Sequence, residues 1–343
     1  MTEIDRLDLD GLSAYLRRHL PDLEGEIAAE KFAGGQSNPT FLITAGARKL
    51  VLRRKPPGKL LKSAHAVDRE FRVISALSKT DVPVATPVLL CEDDNVIGDI
   101  FFMMSYEDGD IFWDPALPEV TKPARTEMYS AMTRTLAALH SVDVAMVGMQ
   151  DFGKSGDYYQ RQLSRWRKQY RAAETDSNEH MEQLMEWLGS NLPEKDEETS
   201  LIHGDYRLDN LIFYRGQPRV RAILDWELST LGHPIADFAY YCMSMRLPHG
   251  QIVGGLRGVD LDALGIPSEK QIIDEYCEIR GLKDVANWDF AISLSFFRLA
   301  SIAQGVYARA LAGNASNKNA MKLGGHVDPI ARLALDDLSS VKP

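Results

Sequence analysis

The stretch Leu201-Ile-His-Gly-Asp-Tyr-Arg-Leu-Asp-Asn-Leu-Ile212, with Ala222-Ile-Leu-Asp-Trp-Glu227 after it, decides how this chain is interpreted. It places a carboxylate, Asp205, and a carboxamide, Asn210, on one short loop, and adds a second carboxylate, Asp225, after a hydrophobic run. Phosphoryl transfer needs such groups, because one carboxylate orients the attacking hydroxyl while the others hold magnesium against nucleotide phosphates. The pattern predicts Asp205 as the catalytic residue and Asn210 and Asp225 as metal ligands.

Ordinary loop formation is the competing interpretation. Single His, Asp and Asn residues more often cap helices or close turns than take part in catalysis. Here they stand at fixed offsets between apolar runs that are typical of short strands, namely Leu201-Ile202, Leu211-Ile-Phe213 and Ala222-Ile-Leu224. This context favours the catalytic interpretation.

The spacing resembles the protein-kinase catalytic loop, in which His-x-Asp is followed by Asn five residues after the Asp. Asp225 stands where the Asp of Asp-Phe-Gly would stand, and His-Gly-Asp at 203–205 is similar to the aminoglycoside phosphotransferase and choline kinase superfamily. The resemblance implies an α+β, bilobal, protein-kinase-like fold. Residues 1–107 would form a small lobe with an antiparallel sheet and one long helix, and residues 108–343 a larger, mainly helical lobe with the catalytic loop and acceptor site.

A glycine-rich turn is implied upstream, and Phe32-Ala-Gly-Gly-Gln-Ser-Asn-Pro-Thr-Phe41 takes that place. Glycine tolerates the dihedral angles that bring backbone N–H groups against phosphates. We therefore expect Gly34, Gly35, Ser37 and Asn38 to bind the nucleotide. The turn lacks the Gly-x-Gly-x-x-Gly spacing of protein kinases, and a plain β-hairpin is the alternative.

A basic strand and a helix follow in the implied order. In Lys49-Leu-Val-Leu-Arg-Arg-Lys55, Arg53 aligns best with the phosphate-binding Lys of kinases, with Lys55 as a second candidate. Glu70 falls on the apolar side of a helix predicted over 64–77, where a carboxylate needs a cation. We expect an ion pair with Arg53 or Lys55. Solvated charges on an edge strand and a surface Glu are the alternatives.

The lobe connection is implied at Ile100-Phe-Phe-Met-Met-Ser-Tyr-Glu-Asp-Gly109. There the backbone around Ser105 and Tyr106 is expected to bind the purine of ATP or GTP, without a preference that the sequence reveals.

Supporting residues are implied close to the catalytic loop. Leu231-Gly-His-Pro-Ile-Ala-Asp-Phe-Ala-Tyr-Tyr241 resembles a family segment in which Asp237 is buried at the start of a helix and accepts hydrogen bonds from the loop backbone. His203 is assigned a similar structural role. Glu227 either contacts the magnesium ion, directly or through water, or points outward.

Composition agrees with two lobes and narrows the partners. The chain has 343 residues, 45% of them apolar, and can bury a large core. A net charge of -10 argues against nucleic-acid binding. Three scattered cysteines fit neither a zinc site nor a disulfide framework. A polar N-terminus and the lack of an eighteen-residue apolar run predict a cytoplasmic protein without a membrane partner, whose oligomeric state the sequence leaves open.

Within this superfamily the chain looks most like the branch whose kinase domain is also found fused to acyl-CoA dehydrogenase domains. The resemblance lies in Val51-Leu-Arg-Arg-Lys-Pro-Pro-Gly58, Val67-Asp-Arg-Glu-Phe-Arg72, Ala222-Ile-Leu-Asp-Trp-Glu-Leu228 and Gln304-Gly-Val-Tyr-Ala-Arg309. It implies a magnesium-dependent kinase for hydroxy acids or their CoA esters. Phosphorylation of aminoglycosides or other amino alcohols, and a nucleotide-binding pseudokinase that turns nothing over, are the alternatives.

Charged residues on the later helices bear on the acceptor. A helical hairpin is predicted over 158–188 with a break near 176–178, and its first arm carries a basic face of Arg161, Arg165 and Lys168. That face and Arg298 favour an anionic acceptor if they border the acceptor site, although a solvated face is the ordinary explanation. A cationic acceptor would instead need acidic residues, for which the candidates are Asp274, Glu275, Asp336 and Asp337.

Overall fold

The computed structural model describes residues 7–32, 38–56, 66–194, 198–251, 254–313 and 319–340. The chain forms two compact units. The first holds the chain up to Asp110 with Asn210–Gly216 and Val220–Ser229, and the second holds Ile111–Asp209, Gln217–Arg219 and the chain from Thr230 onward.

Helices and strands follow one another in an order that confirms the α+β class, with an antiparallel sheet first and a larger helical part after it. In chain order they are α1 (Leu9–His19), β1 (Ile27–Lys31), β2 (Thr40–Ala45), β3 (Arg48–Arg54), α2 (Val67–Leu77), β4 (Pro87–Cys91), β5 (Phe101–Ser105), α3 (Lys122–His140), α4 (Tyr158–Ala173), α5 (Glu179–Ser190), β6 (Ser200–Ile202), β7 (Leu211–Phe213), β8 (Val220–Ile223), β9 (Thr230–Gly232), α6 (Pro234–Arg246), α7 (Leu261–Leu264), α8 (Glu269–Arg280), α9 (Trp288–Leu311), α10 (Ala320–Leu323) and α11 (Val327–Ser340).

The first unit is built on a five-stranded antiparallel sheet in the order β1-β2-β3-β5-β4. Alternate residues of β2, namely Phe41, Ile43 and Ala45, are buried, because successive side chains of a strand point to opposite faces. They join a core to which α1 contributes Leu12 and Leu16. Because β3 pairs with β2 on one side and β5 on the other, it is a central strand, and the edge-strand explanation of its charges is wrong.

The second unit is helical around α9, which packs against α4, α5, α6, α10 and α11. Among the described helices, α9 alone is long and apolar enough to cross a membrane, but 72% of its most apolar window is buried inside the protein, as in a core helix. The predicted hairpin is present as α4 and α5. Its break has a physical cause at Asn178, whose side chain accepts a hydrogen bond from the Met181 N–H and caps α5.

Candidate active site

A short hairpin of the first unit carries the two predicted metal ligands. Asn210 directly precedes β7, and Asp225 is the second residue after β8. The strands are antiparallel, with Leu211 opposite Ile223, and the Leu224 N–H donates to the Asn210 carbonyl over 2.8 Å. The hairpin therefore holds the ends that bear Asn210 and Asp225 side by side.

The backbone at Asp225 is in the left-handed region, with φ 63° and ψ 60°. Residues other than glycine adopt this conformation only where the surroundings enforce it, and such positions concentrate at functional sites. Asp is among the residues that tolerate it best. The conformation turns the chain after β8 and leaves the Asp225 carboxylate partly accessible, with a side-chain exposure of 36%.

Arg53 joins three carboxylates of the first unit. Its Nε lies 2.9 Å from Glu70 Oε2, and its Nη2 lies 2.6 Å from Asp225 Oδ1 and 3.7 Å from Glu227 Oε2. The planar guanidinium reaches Glu70 on α2 and Asp225 after β8 with different nitrogens, which a Lys ammonium cannot do. The predicted ion pair between strand and helix is confirmed, and it is formed by Arg53 rather than Lys55. Binding of phosphate by Arg53 stays a prediction.

Glu70 is the most buried carboxylate of this network, with a side-chain exposure of 4%. Burial raises its pKa to about 7, against the charge of Arg53, and the charges of Asp225 and Glu227 raise it further. The side-chain amide of Asn38 donates to Glu70 Oε1 over 2.8 Å. The surface explanation of Glu70 is therefore wrong, and the Asn38 side chain braces Glu70 from within the unit.

The glycine turn lies between two antiparallel strands, since Lys31 at the end of β1 is opposite Phe41 in β2. β1 and β2 are thus neighbouring antiparallel strands, and the choice between a phosphate-binding turn and a plain hairpin stays a prediction. Gly34, Gly35 and Ser37 lie outside the described residues.

The predicted base-binding residues follow β5. The Ser105 N–H donates to the Thr86 carbonyl over 2.9 Å, and the Ser105 hydroxyl accepts from the Thr86 N–H and donates to Glu107. The Ser105 amide is thus already engaged. Binding of the purine by the backbone around Ser105 and Tyr106 stays a prediction.

In the second unit, Asp237 holds the backbone of the catalytic loop. Its carboxylate accepts from the His203 N–H and the Gly204 N–H, each over 2.8 Å. His203 in turn accepts at Nδ1 from the Asp205 N–H over 3.2 Å. The arrangement implied for Asp237 and His203 is present, with Asp237 in the first turn of α6. Three consecutive loop amides are thereby satisfied by buried side chains.

Asp237 is itself supported by a second set of hydrogen-bonded side chains, which the sequence analysis did not identify. His140, at the end of α3, contacts Asp237 Oδ2 through Nε2 at 3.2 Å and the Tyr276 hydroxyl through Nδ1 at 2.7 Å. Burial lowers the pKa of His140 and keeps the ring neutral, so that Nε2–H donates to the carboxylate and Nδ1 accepts from the hydroxyl. The sequence signal was a histidine at the end of a helix, directly after the apolar run Leu136-Ala-Ala-Leu139.

Tyr240 is the other residue that sequence reasoning missed. It is buried, and its hydroxyl is hydrogen-bonded to the side chain of Asp205. Burial, followed by the charge of Asp205, raises the Tyr240 pKa, so the hydroxyl stays protonated and donates to the carboxylate. Tyr240 follows Asp237 by three residues in α6, so one helix supports the loop backbone with Asp237 and contacts the Asp205 side chain with Tyr240.

A cavity of about 520 Å³ in the second unit borders this loop. Arg207 and Asp209 of the loop line it and pair with each other, with Arg207 Nη2 donating to Asp209 Oδ2 over 2.5 Å. The other walls are mainly aromatic and aliphatic, with representatives Tyr129, Met132, Tyr240, Leu247, Leu299 and Ile302. The cavity suits an acceptor with an apolar body.

On the predicted basic face of α4, one residue is hydrogen-bonded within the fold and two are exposed to solvent. Arg161 donates to the backbone carbonyls of Gly156 and Lys154, so its guanidinium is used within the fold. Arg165 and Lys168 are exposed. These positions agree with the ordinary explanation of a solvated face.

The acidic candidates for a cationic acceptor mostly have basic partners. Asp274 pairs with Lys270, Glu275 lies 3.6 Å from Arg134, and Asp337 lies 2.9 Å from Arg257. These carboxylates are therefore largely neutralised by neighbouring side chains.

The donor set fits a magnesium ion. Asn210 and Asp225 would supply one amide and one carboxylate oxygen, and Glu227 lies two residues after Asp225. In the described part of the chain no cluster of three or more His, Cys, Asp or Glu residues forms a closed metal site. Magnesium is commonly bound by one or two carboxylates with water and substrate phosphates as the other ligands, so an open set of this kind is what a nucleotide-bound ion requires.

The chain belongs to the phosphotransferase enzyme family, whose model matches residues 28–264. Mouse acyl-CoA dehydrogenase family member 10 is 46% identical over 329 residues, which cover 95% of this chain and 31% of that protein. The chain thus spans about a third of that relative's length. The resemblance to the branch with kinase-like domains in acyl-CoA dehydrogenase proteins is confirmed.

Solved structures with a similar fold support the same family. A Ralstonia eutropha protein provisionally described as an aminoglycoside phosphotransferase superposes with a TM-score of 0.90 and 43% identity, covering 98% of this chain and 100% of that one. Choline kinase from Cryptosporidium parvum superposes with a TM-score of 0.61 at 14% identity, covering 97% of each chain, which shows a shared fold. The kinase-like fold is confirmed, and family and neighbours indicate a small-molecule kinase.

Proposed function

We propose that this protein transfers the γ-phosphoryl group of ATP or GTP, with magnesium, to the hydroxyl of a small molecule. Asp205 orients the acceptor hydroxyl, Asn210 and Asp225 hold the ion, and Arg53 contacts the phosphates together with the Gly34-Gly35 turn. Kinases of this family generally use ATP with magnesium, which supports the choice of cofactors. Cytoplasmic residence, with no nucleic-acid or membrane partner, belongs to the same proposal.

The chemistry follows from the residue types. The acceptor oxygen attacks the γ-phosphorus in line, its proton passes to the Asp205 carboxylate, and the bond to the β-phosphate oxygen breaks to release the nucleoside diphosphate. Asn210 and Asp225 would hold a magnesium ion, which when bound would supply positive charge to the phosphate oxygens. The protein contributes mainly position and preorganised charge.

The observation that carries the proposal is that buried side chains hydrogen-bond to the catalytic loop and fix its position. Asp237 and His203 satisfy three consecutive loop amides, and Tyr240 bonds the Asp205 side chain beside a cavity that a small molecule can enter. A loop that served only as a turn would not need a buried carboxylate beneath it, because burying a charge is costly.

The cavity favours a hydroxy acid or a hydroxyacyl-CoA as acceptor. Its walls are largely apolar, and among the described lining residues the one acidic side chain, Asp209, is paired with Arg207. An aminoglycoside carries several positive charges and needs several free carboxylates. The match to acyl-CoA dehydrogenase relatives supports the same acceptor class.

An acceptor screen tests the function. Purified protein is incubated with MgATP or MgGTP and with short and medium hydroxy acids, their CoA thioesters, aminoglycosides or choline, and nucleoside diphosphate release is measured. Asp205→Ala should abolish acceptor-dependent turnover and leave nucleotide affinity nearly unchanged. Undiminished turnover in this variant would refute the assignment of Asp205. Metal-dependent nucleotide binding with neither acceptor turnover nor background hydrolysis would instead support the pseudokinase alternative.

A further inference from the structure

Two neighbouring side chains of the second unit bury hydrogen-bond donors that no acceptor within the described ranges satisfies. The donors are Nε of Arg298 and Nε1 of Trp166. The guanidinium carbon of Arg298 lies 5.5 Å from the centre of the Trp166 ring. Buried donors without acceptors are rare in native proteins, and each requires an explanation. Two on adjacent side chains mark a region where the polar contacts within the described chain are incomplete.

Within the part of the chain that the structure describes, the charge of Arg298 also has no counterion. The half-buried guanidinium lies 4.4 Å from the centre of the Tyr240 ring, and it forms no ion pair with any carboxylate among the residues described. Arg246, which is also half-buried in this unit, instead pairs with Glu269 and Asp337. A partly buried cation held only by aromatic faces attracts an anion, because little water competes for it.

The position of this cation relates it to the acceptor cavity. Arg298 lies one helical turn before Ile302 on the same face of α9, and Ile302 lines the cavity together with Leu299. Tyr240, whose ring contacts Arg298, lines the same cavity and is hydrogen-bonded to Asp205. One tyrosine therefore separates the unpaired cation from the residue proposed to orient the acceptor hydroxyl.

We propose that Arg298 and Trp166 form a subsite for anionic oxygens of the acceptor, supplied by a free carboxylate or by a phosphate of its CoA ester. The inference rests on the proposed function and assigns a specificity role within it. Such a group has more than one oxygen, so two of them can accept from the terminal nitrogens of the half-buried Arg298 guanidinium, which lies against the Trp166 ring. The planar guanidinium suits carboxylate and phosphate geometry better than an ammonium does.

The test compares Arg298→Gln with a matched control, Arg165→Gln. Arg165 also lies 5.5 Å from the Trp166 ring centre, but it is exposed. The acceptors are 6-hydroxyhexanoate, its amide and its CoA thioester. Arg298→Gln should raise the acceptor KM for the anion that binds the subsite on the order of 10- to 100-fold, the usual cost of losing a charge-assisted hydrogen bond. The nucleotide KM and the KM for the neutral amide should stay unchanged, and Arg165→Gln should match the wild type.

The two anion sources give different patterns. A raised KM for the free acid alone identifies the carboxylate, and a raised KM for the thioester alone identifies a CoA phosphate. Arg298→Lys should recover part of the affinity because it keeps the charge without the planar fork. Unchanged KM values for both anionic acceptors in Arg298→Gln would overturn the subsite, as would equal losses with the neutral amide.

A binding measurement separates failure of the subsite from failure of the proposed function. Hexanoate and free CoA carry the two anionic groups without the acceptor hydroxyl, and their binding to the full chain is followed by ligand-observed NMR. Saturable binding to the wild type that Arg298→Gln abolishes supports the subsite even if no acceptor is phosphorylated. Phosphorylation of hydroxy acids with normal KM in Arg298→Gln would retain the function and refute the subsite.

Discussion

Replacing Arg53 by Met should destabilise the first unit in a way that depends on pH. The change removes the cation beside Glu70, whose side chain is 4% exposed, while the Arg53 side chain is only 13% exposed. Removing one partner of a buried ion pair costs about 3–5 kcal/mol, because an uncompensated charge remains. Protonation of Glu70 removes the uncompensated charge. The loss of unfolding free energy should therefore be smaller at low pH than at high pH.

The direction of this pH dependence follows from proton binding by Glu70. In the wild type the pKa of Glu70 is about 7. Between the unfolded value near 4.5 and this folded value, the folded protein binds more protons, so its stability falls as pH rises. Without Arg53 the folded pKa rises further, and the fall continues above pH 7 at up to about 1.4 kcal/mol per pH unit. The difference between Arg53→Met and wild type should therefore grow from pH 7 to 8.

The assay is a double-mutant cycle with Glu70→Gln, which removes the buried charge and keeps a similar shape. Free energies of unfolding from urea titrations at pH 6, 7 and 8 are compared, and hydrogen exchange of β3 and α2 shows whether the loss lies in the first unit. Adding Glu70→Gln to Arg53→Met should restore most of the lost stability at pH 8. A loss that is the same at all three pH values and insensitive to Glu70 would refute this reasoning.

Two further predictions concern the support of the catalytic loop in the second unit. Asp237→Asn replaces one acceptor oxygen with an amide nitrogen, which cannot accept a hydrogen bond from a loop N–H. We expect the unfolding free energy to fall by about 1.5–3 kcal/mol. We also expect a fall in kcat that is larger than any change in nucleotide Kd. Normal kcat with intact stability would contradict the assigned role of Asp237. His140→Gln removes a buried neutral histidine whose folded pKa lies below its unfolded value. Wild-type stability should therefore decline relative to His140→Gln as pH falls below about 6.5, by up to about 1.4 kcal/mol per unit, and a pH-independent difference in urea titrations would show that His140 is protonated in the fold.

The local elements were largely predictable, because each depends on a short periodic pattern. The basic strand predicted at Lys49–Lys55 matches β3 to within one residue, and the predicted break near 176–178 lies between α4 and the cap of α5. The choice between Arg53 and Lys55 was not predictable. Both are basic residues, one at the end of β3 and one just after it, and alternation places them on the same face, so only the ion pair in the folded chain shows which side chain reaches Glu70.

Residues that act from a distance along the chain escaped sequence analysis. His140 and Tyr276 lie 136 positions apart, yet they form one hydrogen-bonded layer beneath Asp237. Neither belongs to a local motif, because a buried polar partner needs only the right place in three dimensions. Similarly, the lack of a counterion for Arg298 depends on which carboxylates the fold brings near it.

The sequence by itself determined the class of this protein, because the spacing of Asp205, Asn210 and Asp225 within one segment reflects local chemistry. The order of turn, strand and helix upstream followed from the same kind of local signal. Only the tertiary structure decided that Arg53 pairs with both Glu70 and Asp225, and that Tyr240 bonds Asp205 beside an apolar cavity. Ion pairing, burial and pKa depend on neighbours that distant parts of the chain supply, and a linear pattern does not specify those neighbours.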